Sequence, residues 1–375
     1  MGDYLTPIVL PTSITAIKQI VSGANWFGII TPDGKLYLWG QNSSGQLGFS
    51  HLNDIGDNLN EMGNFLEPTN LGTGLKIMES QGGANHHCVL FDNLRIKCWG
   101  YNAYGNLGYE DNTIRGDQDS EMGDYLAFVD LGVNRFVQSL YVGYHHSCAF
   151  LNDDSLKCWG RNQEGQAGQG HGSNIGVTSS TMGDNLDPIN LGSGVSMIEC
   201  LDYSPTINPT FDPTLTHAPS LYSEERCSSQ IANYQHNCIL TSTFQVKCFG
   251  KGSKGQLGYG DRETRGDGGG EMGNYLPMIN VDENVISIQT GYHHTCAQLS
   301  NLDVRCWGWN TRGQLGQWEL NNTGDDPGEM GSYLSSINFG TDVVVSKLIV
   351  GSQHNLIITD DQRIKAWGYG PNGRV

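Results

Sequence analysis

Cysteine is the residue type whose spacing gives this sequence its clearest chemical pattern. Eight of the ten cysteines form pairs whose members are ten residues apart, namely Cys88/Cys98, Cys148/Cys158, Cys238/Cys248 and Cys296/Cys306. At two further equivalent places both members are replaced together, by Gly28 and Leu38 and by Leu356 and Ala366. Cysteines that are present or replaced only as pairs are expected to be disulfide partners. The alternative is that they are reduced cysteines of the core. Zinc is disfavoured because the nearer ligands of its sites are usually two to four residues apart.

The other two cysteines, Cys200 and Cys227, flank a proline-containing stretch that fits no repeat, residues 201–230. We predict that they pair and that the stretch is an insertion with little regular structure. Five disulfides would place the protein outside the cell or in another oxidising compartment. No N-terminal signal segment is recognised, so the localisation stays open. With reduced cysteines the protein would be cytoplasmic.

A histidine stands two positions before the first member of each cysteine pair or its substitute. The set is His86, His146, His236, His294 and His354, and Trp26 stands at the equivalent position before Gly28. A ring of histidines suggests a metal site, but these residues are about one repeat apart in the chain and each occurs once per repeat. We therefore expect no metal, and we expect each side chain to hydrogen-bond backbone within its own repeat.

Pairs of carboxylates also recur at one position. They are Asp57/Glu61, Asp117/Glu121, Asp267/Glu271 and Asp325/Glu329, and the pair is replaced once by Val177 and Thr181. Two carboxylates alone make a weak calcium site, so we expect them to cap turn amides. No nucleophile–base arrangement occurs outside the repeat pattern, and the glycine-rich turns do not precede helices as phosphate loops do. The sequence predicts no enzyme activity and no cofactor.

Two landmarks show that the elements positioning these residues form six repeats. The first landmark is an aromatic residue followed by glycine, at Trp39, Trp99, Trp159, Phe249, Trp307 and Trp367. The second is a Met-Gly pair, which follows each of the first five aromatics by 23 residues. A connection of constant length indicates an ordered segment packed between neighbouring repeats.

Each repeat contains a predicted β-hairpin. In the second repeat the apolar stretch 88–91 and the stretch 94–99 flank the polar pair Asp92-Asn93. Pairing Cys88 with Cys98 places Leu90 opposite Ile96 and requires a loop of three or five residues. A further short apolar stretch precedes each hairpin, and another follows each Met-Gly landmark. Four strands per repeat without helical periodicity indicate one blade of a β-propeller.

The composition excludes several classes of partner. Lys and Arg total 21 against 39 Asp and Glu, which gives a formal net charge of −18 and a pI near 4.8. This balance weighs against nucleic acid, whose phosphates require basic side chains, and against an anionic membrane surface. The sequence also lacks a run of eighteen apolar residues, so no membrane span is expected.

The chain resembles the RCC1 superfamily, in particular the alpha-tubulin suppressor-like RCC1 repeat proteins. The matching stretches are Gly-Tyr-His-His at 143–146 and 291–294, the segment from Trp307 to Gly316, and the Glu-Met-Gly segments. The resemblance implies an all-β, RCC1-like β-propeller, a fold that in the family mostly has seven blades. The six repeats favour six blades, with seven possible. We expect one domain over residues 1–375, its ring closed by the N- and C-terminal segments.

These observations favour a non-catalytic scaffold for protein–protein interaction, which acts as a monomer. The first alternative is guanine-nucleotide exchange on a Ran-like small GTPase, which the resemblance implies for some members. The second is a secreted, disulfide-bonded binding or inhibitory propeller, which the cysteine pairs favour. A light sensor would need exposed, clustered tryptophans, whereas most tryptophans here stand at the repeated Trp-Gly position.

Overall fold

The computed structural model describes residues 7–197, 235–341 and 343–370. The chain divides into two compact units. The first comprises Met1–Asn190, Ile231–Gln235 and Arg265–Met272, and the second comprises Leu191–Gln230, His236–Thr264 and Gly273–Val375. The predicted insertion 201–230 and the pair Cys200/Cys227 lie outside the described residues. In the part of the chain that is described, no helix is long and apolar enough to cross a membrane.

Short antiparallel strands make up both units. Those of the first unit are β1 (Gln19–Ser22), β2 (Trp26–Ile30), β3 (Leu36–Gly40), β4 (Ile77–Gly82), β5 (His86–Phe91), β6 (Ile96–Gly100), β7 (Val137–Val142), β8 (His146–Leu151) and β9 (Leu156–Gly160). Those of the second are β10 (His236–Leu240), β11 (Val246–Gly250), β12 (Val285–Thr290), β13 (His294–Leu299), β14 (Val304–Gly308), β15 (Val345–Val350), β16 (His354–Thr359) and β17 (Ile364–Gly368). Consecutive strands form five three-stranded sheets, and β10 pairs with β11.

The hairpin register is the one that the sequence predicts. Cys88 lies opposite Cys98 and Leu90 opposite Ile96, and the same pairing holds in every repeat. The loop has three residues, because the amide of Phe91 bonds the carbonyl of Arg95. The third loop residue has a positive φ in all six hairpins, although only the first repeat has glycine there, at Gly34.

Four cysteine pairs are joined within these hairpins. They are Cys88–Cys98, Cys148–Cys158, Cys238–Cys248 and Cys296–Cys306, with Cα–Cα distances of 4.0–4.1 Å. All eight side chains are buried. The disulfides therefore link two strands that the backbone ladder already pairs.

The predicted fourth strand is wrong for the described repeats. Each Met-Gly landmark among the described residues instead opens a 3₁₀ turn, such as Gly123–Tyr125, followed by an extended segment. That segment makes a single backbone hydrogen bond to the third strand, as from the amide of Val129 to the carbonyl of Ile96 at 3.0 Å. The reason is local geometry. The landmark glycine adopts a left-handed conformation, with φ of +67° at Gly123, which turns the chain before a ladder can form.

The 23-residue connections are ordered, as their constant length indicates, and we call them linkers. Each described linker that follows β6, β9, β11 or β14 lies against the turn that follows the aromatic of the preceding repeat. A Cβ atom on Gly45 would come within 2.8 Å of the amide of Asp117, and one on Gly165 within 2.5 Å of Gly266. Glycine six residues after the aromatic therefore permits close approach of two backbones.

Candidate protein-interaction surface

Buried histidines link neighbouring repeats inside each compact unit. Nε2 of His86 lies 3.1 Å from Oγ of Ser147, and Nε2 of His236 lies 2.9 Å from Oγ1 of Thr295. Nε2 of His294 lies 2.8 Å from Oδ1 of Asn355. The expectation of backbone partners within the same repeat is therefore wrong for these three residues. Their partners are polar side chains about 60 positions further along the chain.

The partner side chain in turn donates a hydrogen bond to a turn carbonyl, and the repeated tryptophan donates to the same carbonyl. The hydroxyl of Ser147 donates to the carbonyl of Asn106 at 3.0 Å, and the indole of Trp159 donates to the same oxygen at 3.2 Å. Trp307 and Trp367 repeat this bond to the carbonyls of Gln256 and Gln314. These histidines and tryptophans are structural anchors between repeats.

The predicted anchors differ in burial. The fully buried members are Trp99, Trp159, Phe249, Trp307, His86, His146, His236 and His294, whereas Trp39, Trp367 and His354 are half-buried. The first repeat replaces histidine by Trp26, which stacks on His87, and His87 stacks in turn on Trp99. Ring centroids are 4.8 and 4.6 Å apart, so the three rings form one continuous stack.

The recurrent glutamates cap turn amides, as we expected. Oε2 of Glu121 accepts the amides of Gly116 and Gln118 at 3.0 and 3.1 Å, and Glu271 repeats the arrangement. Where the carboxylates are lost, Oγ1 of Thr181 accepts the amide of Gly176 at 3.1 Å. A threonine hydroxyl thus caps the turn amide that a glutamate caps in the other repeats. The recurrence of the carboxylates is explained without a bound cation.

Sequence reasoning missed a cation that recurs two positions before the aromatic and is buried as Lys97, Lys157 and Lys247. Nζ of Lys157 donates to the carbonyls of Leu131 and Gly183 at 2.9 and 2.8 Å. Lys97, Lys247 and Arg305 make the equivalent pairs of bonds. Burial lowers the pKa of Lys97, Lys157 and Lys247. The available signal was a cation at one fixed position in five of six repeats.

Two surface positions lie beside these buried anchors in the chain. One is the residue after the Trp-Gly or Phe-Gly pair, and the other is the residue before the buried histidine. A backbone bond joins the two, as from the amide of Arg161 to the carbonyl of His145 at 2.9 Å and from Trp309 to His293 at 2.8 Å. Side chains at these positions are therefore held on a rigid base while their identity varies between repeats.

In the first unit this surface carries a cluster of aromatic rings with one cation, which we call the Tyr101 cluster. It consists of Tyr101, Tyr104, Tyr144, His145 and Arg161. The ring of His145 lies 4.5–5.4 Å from those of the three tyrosines. The guanidinium of Arg161 lies 5.6 Å from the ring centre of Tyr104. All five side chains are half-exposed.

In the second unit the same positions carry more positive charge, and we call this set the Trp309 cluster. Its members are Lys251, Lys254, Tyr292, His293, Trp309 and Arg312. The ring of His293 lies 4.1 Å from that of Tyr292 and 5.9 Å from that of Trp309. The guanidinium of Arg312 lies 4.6 Å from the ring centre of Tyr369. Lys254 and Arg312 are exposed.

The histidines of both clusters are neutral at pH 7. Burial, and then the charge of Arg161, lowers the pKa of His145 to about 4. Burial, and then the charges of Lys251 and Lys254, lowers the pKa of His293 to about 4. The positive charge of the surface therefore comes from lysine and arginine, and histidine contributes a ring and hydrogen-bonding atoms.

Comparison with known proteins defines the class. The family model described as the Regulator of chromosome condensation (RCC1) repeat matches residues 137–166 and 285–314, and a second model of the same description matches residues 33–90. The Ultraviolet-B receptor UVR8 of Arabidopsis thaliana is 24% identical over 378 residues, which cover 97% of this chain and 69% of that protein.

Superposition on solved structures supports the same class of fold. Human WBSCR16 superposes with a TM-score of 0.67 at 16% identity, over 96% of this chain and 78% of that one. Prp20p of Saccharomyces cerevisiae, described with its binding to Gsp1p and histones, gives 0.62 at 17% identity, over 96% and 73%. The fold is all-β and RCC1-like, of the β-propeller type. The chain is an RCC1-like repeat protein. Ring closure and the number of blades stay predictions.

Proposed function

We propose that this protein is a non-catalytic scaffold that binds a protein partner through the surface following the aromatic-Gly pairs. The observation that carries the proposal is the Trp309 cluster. Lys254 and Arg312 are exposed there, and neither forms an ion pair with a described residue. Aromatic and arginine side chains on a rigid base are the residue types that dominate protein interfaces.

Charge supports one kind of partner at this cluster. The whole chain carries a formal net charge of −18, so a group of three cations, Lys251, Lys254 and Arg312, is a local reversal of sign. Such a reversal attracts an acidic segment of a partner and repels a basic one. The flanking rings of Tyr292 and Trp309 add contact area at low conformational cost.

The buried serine–histidine contacts of the fold give no support to a catalytic function. The hydroxyl of Ser80 bonds Nε2 of His87, which resembles a nucleophile and its base. Both residues are buried, at 1% and 0% exposure, and His87 lies between two tryptophans. A substrate has no access to that pair. The buried His86–Ser147 contact is inaccessible for the same reason.

Loss of partner capture after charge reversal tests the proposal. The variant Lys254→Glu/Arg312→Glu changes two exposed cations of the cluster, and Lys76→Glu/Lys347→Glu makes the same charge change at exposed lysines elsewhere. We expect the first variant to retain partners from source lysate about tenfold less well than wild type, and the control to retain them fully. Equal retention by both variants would refute the assignment of the surface.

A small GTPase is a proposed partner, because the resemblance to RCC1-like proteins extends to members with that role. Nucleotide release from a Ran-like GTPase should be no faster when this protein is added, if the protein acts only as a scaffold. Clear acceleration would establish exchange activity instead, and would overturn the non-catalytic proposal even if the binding surface proved correct.

A further inference from the structure

Two Asn-x-Ser/Thr tripeptides in which x is not proline occur in the sequence, Asn42-Ser43-Ser44 and Asn321-Asn322-Thr323. Such a tripeptide is an acceptor for an N-linked oligosaccharide in a secreted chain, provided that the asparagine lies at the surface. Both tripeptides belong to a turn that follows an aromatic-Gly pair, but they stand at different positions of that turn. The surroundings of the two asparagine side chains therefore distinguish them.

Asn42 is an internal part of its turn. Its side chain is fully buried. Oδ1 accepts the amide of Leu47 at 2.9 Å, and Nδ2 donates to the carbonyl of His51 at 2.7 Å. Asparagines at the same position in three other repeats make the equivalent pair of bonds, namely Asn102, Asn162 and Asn310. A sugar on Nδ2 of Asn42 has no room in the folded turn.

Asn321 lies on the outside of its turn. The residue is exposed, and its Nδ2 donates to Oε2 of Glu319, which is also exposed, at 3.0 Å. A hydrogen bond between two exposed side chains exchanges with water at little cost in free energy. The side-chain nitrogen of Asn321 is therefore available to an external reagent.

The two residues that follow Asn321 are held by the turn. Oδ1 of Asn322 accepts the amide of Asn310 at 3.2 Å, and its Nδ2 lies 3.3 Å from Oδ2 of Asp325. Thr323 forms an antiparallel bridge with Gly308, with hydrogen bonds of 2.7 and 3.1 Å. Adjacent side chains of strand-like backbone point to opposite faces. The inward side chain of Asn322 thus accompanies an outward side chain at Asn321.

The exposure of Asn321 belongs to its position in the repeat and does not depend on the ends of the chain. The residue stands fourteen positions after Trp307. Its counterparts in the first four repeats are Asn53, Thr113, Ser173 and Glu263, and all four are exposed. A linker lies against the turn in each of those four repeats, so a neighbouring linker leaves this position at the surface.

The hairpin disulfides supply independent support. Cys88–Cys98, Cys148–Cys158, Cys238–Cys248 and Cys296–Cys306 are joined, and all eight side chains are buried. Structural disulfides form and persist in oxidising compartments such as the lumen of the endoplasmic reticulum. Modification of Asn-x-Ser/Thr is a property of chains that are secreted. The cysteines and the exposed tripeptide therefore indicate the same route, and neither observation depends on the proposed partner surface.

We propose that Asn321 carries an N-linked oligosaccharide and that Asn42 does not. In the transfer, Nδ2 of Asn321 forms a bond to the first sugar carbon of an oligosaccharide that is attached to a lipid diphosphate. The bond between that carbon and the diphosphate oxygen breaks, the lipid diphosphate leaves, and Nδ2 loses one proton. The hydroxyl of Thr323 completes the tripeptide that the transferring enzyme recognises.

Mass spectrometry of the protein isolated from its natural source tests the proposal. Digestion with peptide N-glycanase in heavy-oxygen water should convert Asn321 to an aspartate that contains one heavy oxygen, and should leave Asn42 as asparagine. The same digest without reduction reports whether Cys296 and Cys306 are joined. We expect a glycan on Asn321 in the chains that contain this disulfide.

Matched variants expressed in the source cells assign the modified residue. Asn321→Gln removes an exposed acceptor and should abolish the shift in electrophoretic mobility that the glycan causes. Thr323→Ser keeps the tripeptide and should retain the shift. Ser44→Ala removes the other tripeptide while it keeps the structural asparagine Asn42, and it should have the mobility of wild type.

An unmodified Asn321 in protein from the natural source would overturn the proposal, and free thiols in the same chains would then place the protein in the cytosol. A mobility shift that persists in Asn321→Gln and disappears in Ser44→Ala would assign the glycan to Asn42, which contradicts the burial of that residue. The expected result would also direct the search for a partner to extracellular proteins and away from a cytosolic GTPase.

Discussion

Single buried side chains connect neighbouring repeats of this protein. His87 is an example. Its ring is fully buried, stacks on Trp26 and Trp99, and bonds the hydroxyl of Ser80. Burial lowers the pKa of His87 to about 3, so the ring stays neutral. Stacking and hydrogen bonding therefore act together at one position between the first two repeats.

Removal of the His87 ring should destabilise the first compact unit strongly. His87→Ala leaves a cavity between two indoles and a buried serine hydroxyl without its partner, and we expect a loss of about 3 kcal/mol in the free energy of unfolding. Urea titration followed by tryptophan fluorescence measures it. His171→Ala, at an exposed position, is the control and should change the midpoint little. Similar midpoints for both variants would contradict the structural role of the stack.

At the scale of elements, the hairpins share a loop conformation that their sequences do not favour. The third loop residue has φ between +61° and +82° in every repeat, and the residues are Gly34, Leu94, Asp154, Phe244, Leu302 and Gln362. Left-handed backbone is unfavourable for residues with a Cβ atom and costs glycine nothing. The register of the paired strands imposes the conformation, so the non-glycine loops are strained.

Glycine at this loop position should stabilise the last hairpin. Gln362 is exposed and has φ of +63°, so Gln362→Gly relieves backbone strain without loss of packing. We expect a gain of about 1 kcal/mol, reduced somewhat by the greater freedom of glycine in the unfolded chain. The reciprocal change Gly34→Gln should destabilise the first hairpin by a similar amount. Thermal or urea unfolding checks both, and the same sign for the two variants would contradict the explanation.

At the scale of the whole molecule, each compact unit contains a buried histidine that folding keeps neutral. Burial lowers the pKa of His87 in the first unit to about 3, and burial lowers the pKa of His294 in the second unit to about 4. The ordinary value is 6.5. Between these values the unfolded chain binds more protons than the folded one, so stability is complete above about pH 6.5 and falls as the pH decreases.

Acid should therefore destabilise the protein in a way that single substitutions reduce. Between pH 7.5 and 5.5 each of these two histidines should remove about 1.4 kcal/mol of stability. The variant His294→Gln keeps a polar side chain beside Asn355 but cannot titrate, and its stability should depend less on pH by that amount. Urea unfolding at the two pH values measures the difference. An unchanged pH dependence in this variant would refute the contribution of His294.

The sequence determined the local organisation of this protein. The six repeats, the register that pairs Cys88 with Cys98 and the glutamate caps follow from residues close together in the chain, where one repeated pattern fixes the partners. The pairing of Cys200 with Cys227, the closure of the ring and the monomeric state stay predictions. The fourth strand was predicted wrongly, because apolar composition does not reveal that Gly123 turns the chain out of the ladder.

Only the tertiary structure determines which repeat each buried polar side chain hydrogen-bonds. The periodic sequence marks His86 and Lys157 as repeated positions, but not that His86 reaches Ser147 or that Lys157 joins the carbonyls of Leu131 and Gly183. Backbone carbonyls are identical in every residue, so only the packing of one repeat on the next determines which of them a buried donor meets.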